Sequence, residues 1–291
     1  MNELYLLPHL GALPLGSITP PMLLTALRKV ERKGILSTAQ DLRSMAGQVF
    51  RYGVQSGRCE RNPAADLSDA LKPHAAKHFA AVLDPLGAGA LLRAIDGYTG
   101  QPTTRAALML AALLFQRPGN IRAMEWTWLD LEGSMLTIPA SEMKLTKEQK
   151  LNGRPHLVPL ARQAVALLKE LVPLTGGERR RYVFPSARTP DRPMSDNTMN
   201  AALRRLDYGT NDHVAHGFRA MARTMMSERL SGIDPDVVEA QLGHGKSGPL
   251  GASYDRAEYL DQRRQIMQTW ADYLDRLRAG ATVTELAQRA A

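Results

Sequence analysis

Along most of the chain, apolar residues recur with the 3.6-residue period of a helix. Thr19 suits an N-cap with Pro20 at the first helical position, and Leu23, Leu24, Leu27 and Val30 form a stripe that runs up to Gly34. A second helix is predicted from Ser37 or Thr38 to about Ser56, with Leu42, Met45, Val49 and Phe50 among its apolar positions and Gly57 ending it. Asn62-Pro63 opens a shorter helix through AADLSDALK, whereas residues 1–18 read as irregular. KPHAAKH (72–78) is polar, basic and interrupted by Pro73, the texture of a linker. Beyond it, helices are predicted over 86–97 and 103–116, with another opening at Pro118. The period then changes. LEGSMLTIPASEMK and RPHLVPL contain short alternating runs split by Gly, Pro and charges, which predict two or three strands of a small antiparallel sheet. Helices resume over 161–172, 196–206, 214–230, 235–242 and 255–278. Asp234-Pro235 is a start signal and Gly243 a stop signal.

This pattern gives a mainly α fold with a small antiparallel β-sheet, in two domains. The expected division is a helical domain over 1–74, a linker over 75–78, a larger mixed α+β domain over 79–278 and a tail over 279–291. The 291 residues suffice for two domains. Composition agrees: 44% of residues are hydrophobic but only 5% aromatic, so the core must rest on Leu, Ala, Met and Val, a palette suited to helices.

Charge narrows the choice of function. The formal net charge is +8 and the pI about 9.7, a balance that favours a polyanionic partner such as nucleic acid. In the first domain, Arg28, Lys29, Arg32, Lys33, Arg43, Arg51, Arg58 and Arg61 lie on or beside the predicted helices. Cys59 is the single cysteine, so there is no internal disulfide and no Cys/His spacing for zinc. The amino-terminal stretch has no basic n-region and is broken by prolines, which argues against a signal peptide. No apolar run reaches the ~18 residues of a membrane span. These features predict a reduced, soluble, cytoplasmic protein.

The candidate chemistry is cationic. In VAHGFRAMART (214–224), His216 and Arg219 are three residues apart, on one face of a predicted helix, with Arg223 a turn further on. An arginine fork beside a histidine that titrates near neutral pH suits a phosphate. Arg117 stands immediately before Pro118-Gly119 at the mouth of a helix. SEMKLTKEQK supplies Lys144, Lys147 and Lys150 in the predicted sheet region, where a hairpin lysine could reach a groove. His244 follows a Gly-terminated helix in QLGHG, and Tyr254 lies ten residues later in GASYDRAEYL. Each feature taken singly is ordinary: helix surfaces carry H-x-x-R, and tyrosines fill cores.

The order Arg117, Lys144, His216, Arg219, His244, Tyr254 resembles the tyrosine recombinase (phage integrase) family. RPGN, MK…RPHLVPL, MSDNTMNAALRRL, AHGFRAMA, VEAQLGH and SYDRAEYLDQRRQIMQTWADYLD are similar in wording to integrases of temperate phages and genomic islands, and the likeness covers about residues 17 to 276. Two departures stand out. Asn120 occupies a position where the family usually has Glu, which would help hold Arg117 by a charged hydrogen bond. The chain also starts inside the core-binding domain, so the amino-terminal arm-binding domain of island integrases is expected to be missing.

The resemblance implies site-specific DNA recombination through a 3′-phosphotyrosine, with Tyr254 as nucleophile and His216 as its base. Arg117 and Arg219 would clamp the nonbridging oxygens, Lys144 would protonate the leaving 5′ oxygen, and His244 would donate to the phosphate. No metal or cofactor is expected. Residues 1–74 would be the core-DNA-binding domain, closing on duplex DNA together with the catalytic domain as a clamp. Arg43, Arg51, Lys77 and Arg204 are the candidate DNA contacts. Expected partners are double-stranded DNA at attachment core sites, further copies of the chain in a synaptic tetramer, and an excisionase or host DNA-bending protein. There would be no membrane partner and a nucleoid-associated location. The terminal stripe of Met267, Trp270 and Leu274 would dock on a neighbouring subunit or on its own domain. Two other functions compete: a truncated integrase that only occupies core sites, and a type IB-like topoisomerase.

Overall fold

In the computed structural model, residues 2–74, 78–177, 180–244 and 259–280 are described. Backbone contacts divide the chain into two compact units, 1–78 and 79–291.

The smaller unit is helical throughout its regular structure. Its first residues fold into two single-turn helices, α1 (Asn2–Tyr5) and α2 (Leu7–Leu10), and a 3-10 turn (Leu15–Ser17), so the irregular segment expected over 1–18 is partly helical. The reason is burial: Leu6 joins the unit's core, and Tyr5, Leu10, Leu15 and Ile18 pack against it. Helix α3 (Pro20–Glu31) buries Leu23, Ala26, Leu27 and Val30, and α4 (Leu36–Gln55) buries Ala39, Leu42, Ala46, Phe50 and Gly53. Val49, expected on the apolar side of α4, is exposed, because the helix closes its buried face with small residues instead. The helix expected after Asn62-Pro63 shrinks to a 3-10 turn (Ala65–Leu67). The Asn62 side chain both accepts from the Ala64 N–H (3.0 Å) and donates to the Gly47 carbonyl (3.2 Å), which ties this segment down as a turn.

The larger unit is built around α5 (Pro85–Asp96), α6 (Pro102–Leu114), α9 (Arg162–Thr175), α10 (Thr198–Arg205), α11 (Gly217–Arg229) and α13 (Leu260–Arg278). Shorter helices are α7 (Pro118–Arg122), α8 (Lys147–Asn152) and α12 (Pro235–Gln241). The sheet is three antiparallel strands in sequence order, β1 (Leu129–Asp130), β2 (Met135–Ile138) and β3 (His156–Pro159). Leu136 faces Val158 and Ile138 faces His156 across β2 and β3, which puts the buried Leu136, Ile138 and Val158 on the core. The stripe Met267, Trp270 and Leu274 is buried within its own unit, and the Trp270 indole donates to the Ala112 carbonyl (2.9 Å). That closes the neighbouring-subunit option for these three residues.

Two local results bear on the site. The segment between β2 and β3 is not a plain hairpin, because Thr146 and Gln149 form a reciprocal capping box that starts α8. Lys147 and Lys150 therefore sit on a short exposed helix rather than on a strand loop. Helix α11 begins at Gly217, three residues later than the apolar pattern predicts, so His216 is its N-cap residue. No described helix is long and apolar enough to cross a membrane.

Candidate active site

The site is organised by the end of α6. Phe115 leaves that helix in the left-handed region (φ 42°), with its ring fully buried and edge-on to Trp270 at 6.4 Å between centroids. Such a conformation is costly for a bulky residue, about 1–3 kcal/mol, and persists where the surroundings dictate it. Here it turns the Phe115 carbonyl onto the Arg219 guanidinium (2.9 Å from Nη1). Gln116 follows, buried, and its amide donates to the Gln241 carbonyl at the end of α12 (2.8 Å). Arg117 comes next, half-buried, as the N-cap residue of α7. Its carbonyl accepts from the Asn120 and Ile121 N–H groups, and its guanidinium has no hydrogen-bond or ion-pair partner among the described residues.

Arg219 is the opposite case. It is only 5% exposed and spends three of its five N–H donors inside the protein: on the Phe115 carbonyl, on the Leu242 carbonyl (2.9 Å) and on His244 Nε2 (2.8 Å). The Nε–H and one Nη1–H remain. Burial, and then Arg117 beside it, push its pKa down to about 10, while Glu239 acts in the other direction. It is therefore a cation at neutral pH.

His244 continues this chain of contacts. A guanidinium can only donate, so Nε2 is the accepting nitrogen and the imidazole proton is on Nδ1, which donates to Glu239 (2.6 Å). Arg223 pairs with the other Glu239 oxygen, which settles its role as an ion-pair partner at the rim. Burial alone would raise the Glu239 pKa, but the bonds from His244 and Arg223 hold it below the ordinary value. Gly243 makes the approach possible. It has φ +65°, and a Cβ there would come within 2.8 Å of the Met143 methyl.

His216 joins the group from the start of α11. Its pKa is depressed first by burial and then by Arg219, Arg117, Lys144 and His244, so four residues from four different elements converge on one imidazole. Lys144 itself is exposed, in the loop after β2. Asn120 is buried, and its amide donates to the Glu142 carbonyl (2.9 Å), two residues before Lys144. It ties the lysine loop to α7 instead of holding Arg117, because an amide offers donors that a carboxylate lacks.

Of the six expected site residues, Arg117, Lys144, His216, Arg219 and His244 come together. Tyr254 lies outside the described residues, as does Lys77. Lys147 and Lys150 are not among the groups that act on His216. Arg51 and Arg204 are exposed, with Arg204 reaching Asn197 (3.5 Å), while Arg43 is half-buried with an unpartnered Nε.

Four residues escaped the sequence reading. His156 on β3 donates to the Gln241 carbonyl (3.2 Å), and its pKa falls to about 3, first through burial and then through Arg263, with Arg117 and Arg219 adding to the effect. Arg263, buried on α13, donates from Nε to the Gln241 side-chain oxygen (2.8 Å) and from Nη2 to the Leu157 carbonyl. Gln116 and Gln241 complete this buried polar layer, which lashes the Arg117 and His244 segments to β3. One signal was available: Arg263 falls on the apolar stripe of Ile266, Met267 and Trp270, where a charge is out of place. Among the described residues there is no His/Cys/Asp/Glu cluster that could hold a metal ion.

Comparison with known proteins bears on the family of the chain. Residues 1–70 match the phage integrase central domain and residues 81–259 the phage integrase family. The integrase of Enterobacteria phage P4 is 36% identical over 282 residues, covering 94% of this chain and 63% of the relative. The integrase of Shigella phage Sf6 is 33% identical, covering 93% and 67%. The chain thus spans about two thirds of the length of these relatives. Among solved structures, a lambda integrase fragment, crystallised as a dimer on a COC′ core site, superposes with a TM-score of 0.62 at 20% identity, covering 90% of this chain and 85% of that one. The Tn1549 transposon integrase in complex with a circular intermediate DNA superposes with a TM-score of 0.60 at 12% identity, covering 89% and 88%. The chain belongs to the phage integrase family of tyrosine recombinases.

Proposed function

We propose that this chain is a site-specific DNA recombinase that cleaves and rejoins duplex DNA through a 3′-phosphotyrosine. One observation supports the reading above all: the cations Arg117, Lys144 and Arg219 gather about His216, with His244 bonded to Arg219 beside them, a density of positive charge that makes sense around a phosphodiester.

In the proposed reaction the Tyr254 hydroxyl attacks phosphorus. A phenol is largely protonated at neutral pH, and His216, kept neutral by its surroundings, takes that proton. The P–O3′-side linkage is retained on the enzyme as the phosphotyrosine, the P–O5′ bond breaks, and Lys144 protonates the departing 5′ oxygen. Arg117 has its donors unspent, and Arg219 offers its two remaining N–H groups, so both can meet the nonbridging oxygens. In the geometry described here His244 acts through Arg219, holding it by Nε2. Donation from His244 to the phosphate requires exchanging that bond for one to the substrate. The new phosphodiester keeps the energy needed for resealing.

Residues 1–74 then serve as the core-DNA-binding domain, joined at 75–78 to a catalytic domain over 79–278. Arg43, Arg51, Lys77 and Arg204 are the proposed phosphate contacts, which would position DNA without reading its sequence. Assembly on DNA as dimers and tetramers, with the cytoplasmic nucleoid as location, belongs to the same reading and is supported by lambda integrase, which crystallised as a dimer on a core site and as a tetramer on a Holliday junction.

A nicked duplex that traps the cleaved strand tests the reaction. The unaltered protein should yield a covalent protein–DNA adduct, and Tyr254→Phe should bind the duplex without forming it. DNA binding with no adduct from the unaltered protein would favour occupancy of core sites alone. Relaxation of plasmids lacking paired sites would favour the topoisomerase alternative.

A further inference from the structure

The segment Phe79–Val82, at the start of the larger unit, forms no regular element yet lies against the amino-terminal end of α11. The Val214 N–H donates to the Ala80 carbonyl (3.2 Å), and the Val82 N–H donates to His213 Nδ1 (3.1 Å). His213 is buried, stacks edge-on against Phe218 at 4.4 Å, and carries its proton on Nε2, which has no partner. Gly217 is shaped by the same contact, since a Cβ there would come within 2.4 Å of the Ala80 carbonyl. Three positions before and at the start of α11, His213, Val214 and Gly217, are thus fitted to this segment.

At its end stands Phe79. The Phe79 ring lies 4.4 Å from the His216 ring, tilted by 41°. Phe79 is 63% exposed, so core filling does not account for its place. A phenyl ring packed against an imidazole at this distance and tilt limits its rotation and shields it from water.

We propose that Phe79–Val82 is a strap that positions His216 through the Phe79 ring, making Phe79 a positioning residue for the proton transfer from Tyr254. The inference rests on the recombinase reading for its catalytic consequence, though not for the contact itself. His216 is faced by Arg219 on its own helix, Arg117 at α7, Lys144 after β2 and His244 after α12. All four are positive or can become so, and none is a carboxylate. Removing Phe79 lets water onto the imidazole, favours its charged form, and frees the ring to rotate. A base misplaced by such a turn loses much of its effect even though it is still present.

Two measurements on the full chain test this. The first is an NMR pH titration of the histidine ring signals, with His216 assigned by His216→Gln. Phe79→Ala should move the His216 midpoint upward toward the ordinary histidine value of about 6.5, and Phe79→Tyr should return it. The second is single-turnover adduct formation on the nicked duplex. Phe79→Ala should slow the plateau by about tenfold and move the acid limb to higher pH, with duplex affinity unchanged and Phe79→Tyr restoring both. An unmoved His216 midpoint in Phe79→Ala overturns the proposal. So does a moved midpoint with an unaltered rate and pH profile. An unaltered protein that forms no adduct removes the recombinase reading, and the titration still decides whether Phe79 holds His216. If Phe79→Ala does not fold, Phe79→Ser, which likewise uncovers the imidazole, is expected to give the same upward shift.

Discussion

The two units handle charge in opposite ways. In the smaller one, the buried core is apolar (Leu23, Leu27, Leu42, Phe50 and their neighbours), and its many cations stand on the surface or half-buried. In the larger one, charged and polar side chains are carried into the interior: Arg219, Arg263, Gln116, Gln241 and His213 are all buried. Burying such groups costs free energy unless each finds a partner. The larger unit meets most of that cost with a set of bonds from Phe115 and Gln116 through Gln241 to His156 and Arg263, leaving His213 Nε2 and Gln241 Nε2 as buried donors without a hydrogen bond among the described residues. The contrast separates two uses of positive charge. Surface cations can attract a polyanion but cannot hold one atom in place. A buried guanidinium fixed at three points can.

Stability is the first place to break this comparison. All three tryptophans (126, 128 and 270) lie in the larger unit, so indole fluorescence reports that unit alone. Trp270→Ala should lower its stability by about 3–5 kcal/mol, and Leu27→Ala should lower that of the smaller unit by about 2–5 kcal/mol. The second change should appear in circular dichroism on denaturant titration and be absent from the fluorescence. Equal movement of both signals would show that the units do not unfold separately.

Rate comes next. A lysine at position 219 keeps the charge but cannot serve the Phe115 and Leu242 carbonyls and His244 at once. Arg219→Lys should slow adduct formation by about 10²–10³, or about 2.7–4 kcal/mol, with duplex affinity largely kept. An undiminished rate would reduce Arg219 to a structural cation.

Acid provides a milder probe. Burial depresses His213 to about 4, and burial with Arg263 depresses His156 to about 3, both in the larger unit. Each is neutral when folded and more readily protonated when unfolded. Their contribution is therefore complete above about pH 6.5 and falls, by about 1.4 kcal/mol per pH unit for each group, as the pH drops toward the folded values. Denaturant midpoints by fluorescence should decline over pH 6.5 to 4 and decline less in His213→Asn. A flat profile would mean that neither ring is held neutral. The smallest effect is expected at the surface, where Arg51→Ala should weaken duplex binding similarly for all sequences and lower the salt slope by about one.

Much of this was legible in the chain itself. Helices with a strong apolar stripe and clear punctuation, such as Pro20–Glu31 and Pro235–Gln241, lie within about three residues of their expected limits, as does the sheet. Burial that could only be known in three dimensions was not legible. The helices before residue 18 form because Leu6 has a core to enter, and Val49 is exposed because alanines and a glycine close the face beside it. The capping box at Thr146 and Gln149 was readable, and it moves Lys147 and Lys150 off the hairpin. At the site, titratable side chains with a spacing could be picked out. The backbone carbonyls of Phe115, Leu242 and Gln241, which do most of the holding, leave no trace in residue type. Asn120 shows the limit most clearly: the sequence marks it only as a departure from the Glu that would hold Arg117, and its position gives it a bond to the Glu142 carbonyl.

The central claim is that this cationic pocket serves one tyrosine attacking one phosphodiester. Nuclease trimming of the trapped adduct, followed by peptide mass spectrometry, tests it most directly. The account predicts a nucleotide remnant on Tyr254 and on no other residue. A remnant on Tyr259 at the start of α13, on a serine, or on no residue at all would contradict it.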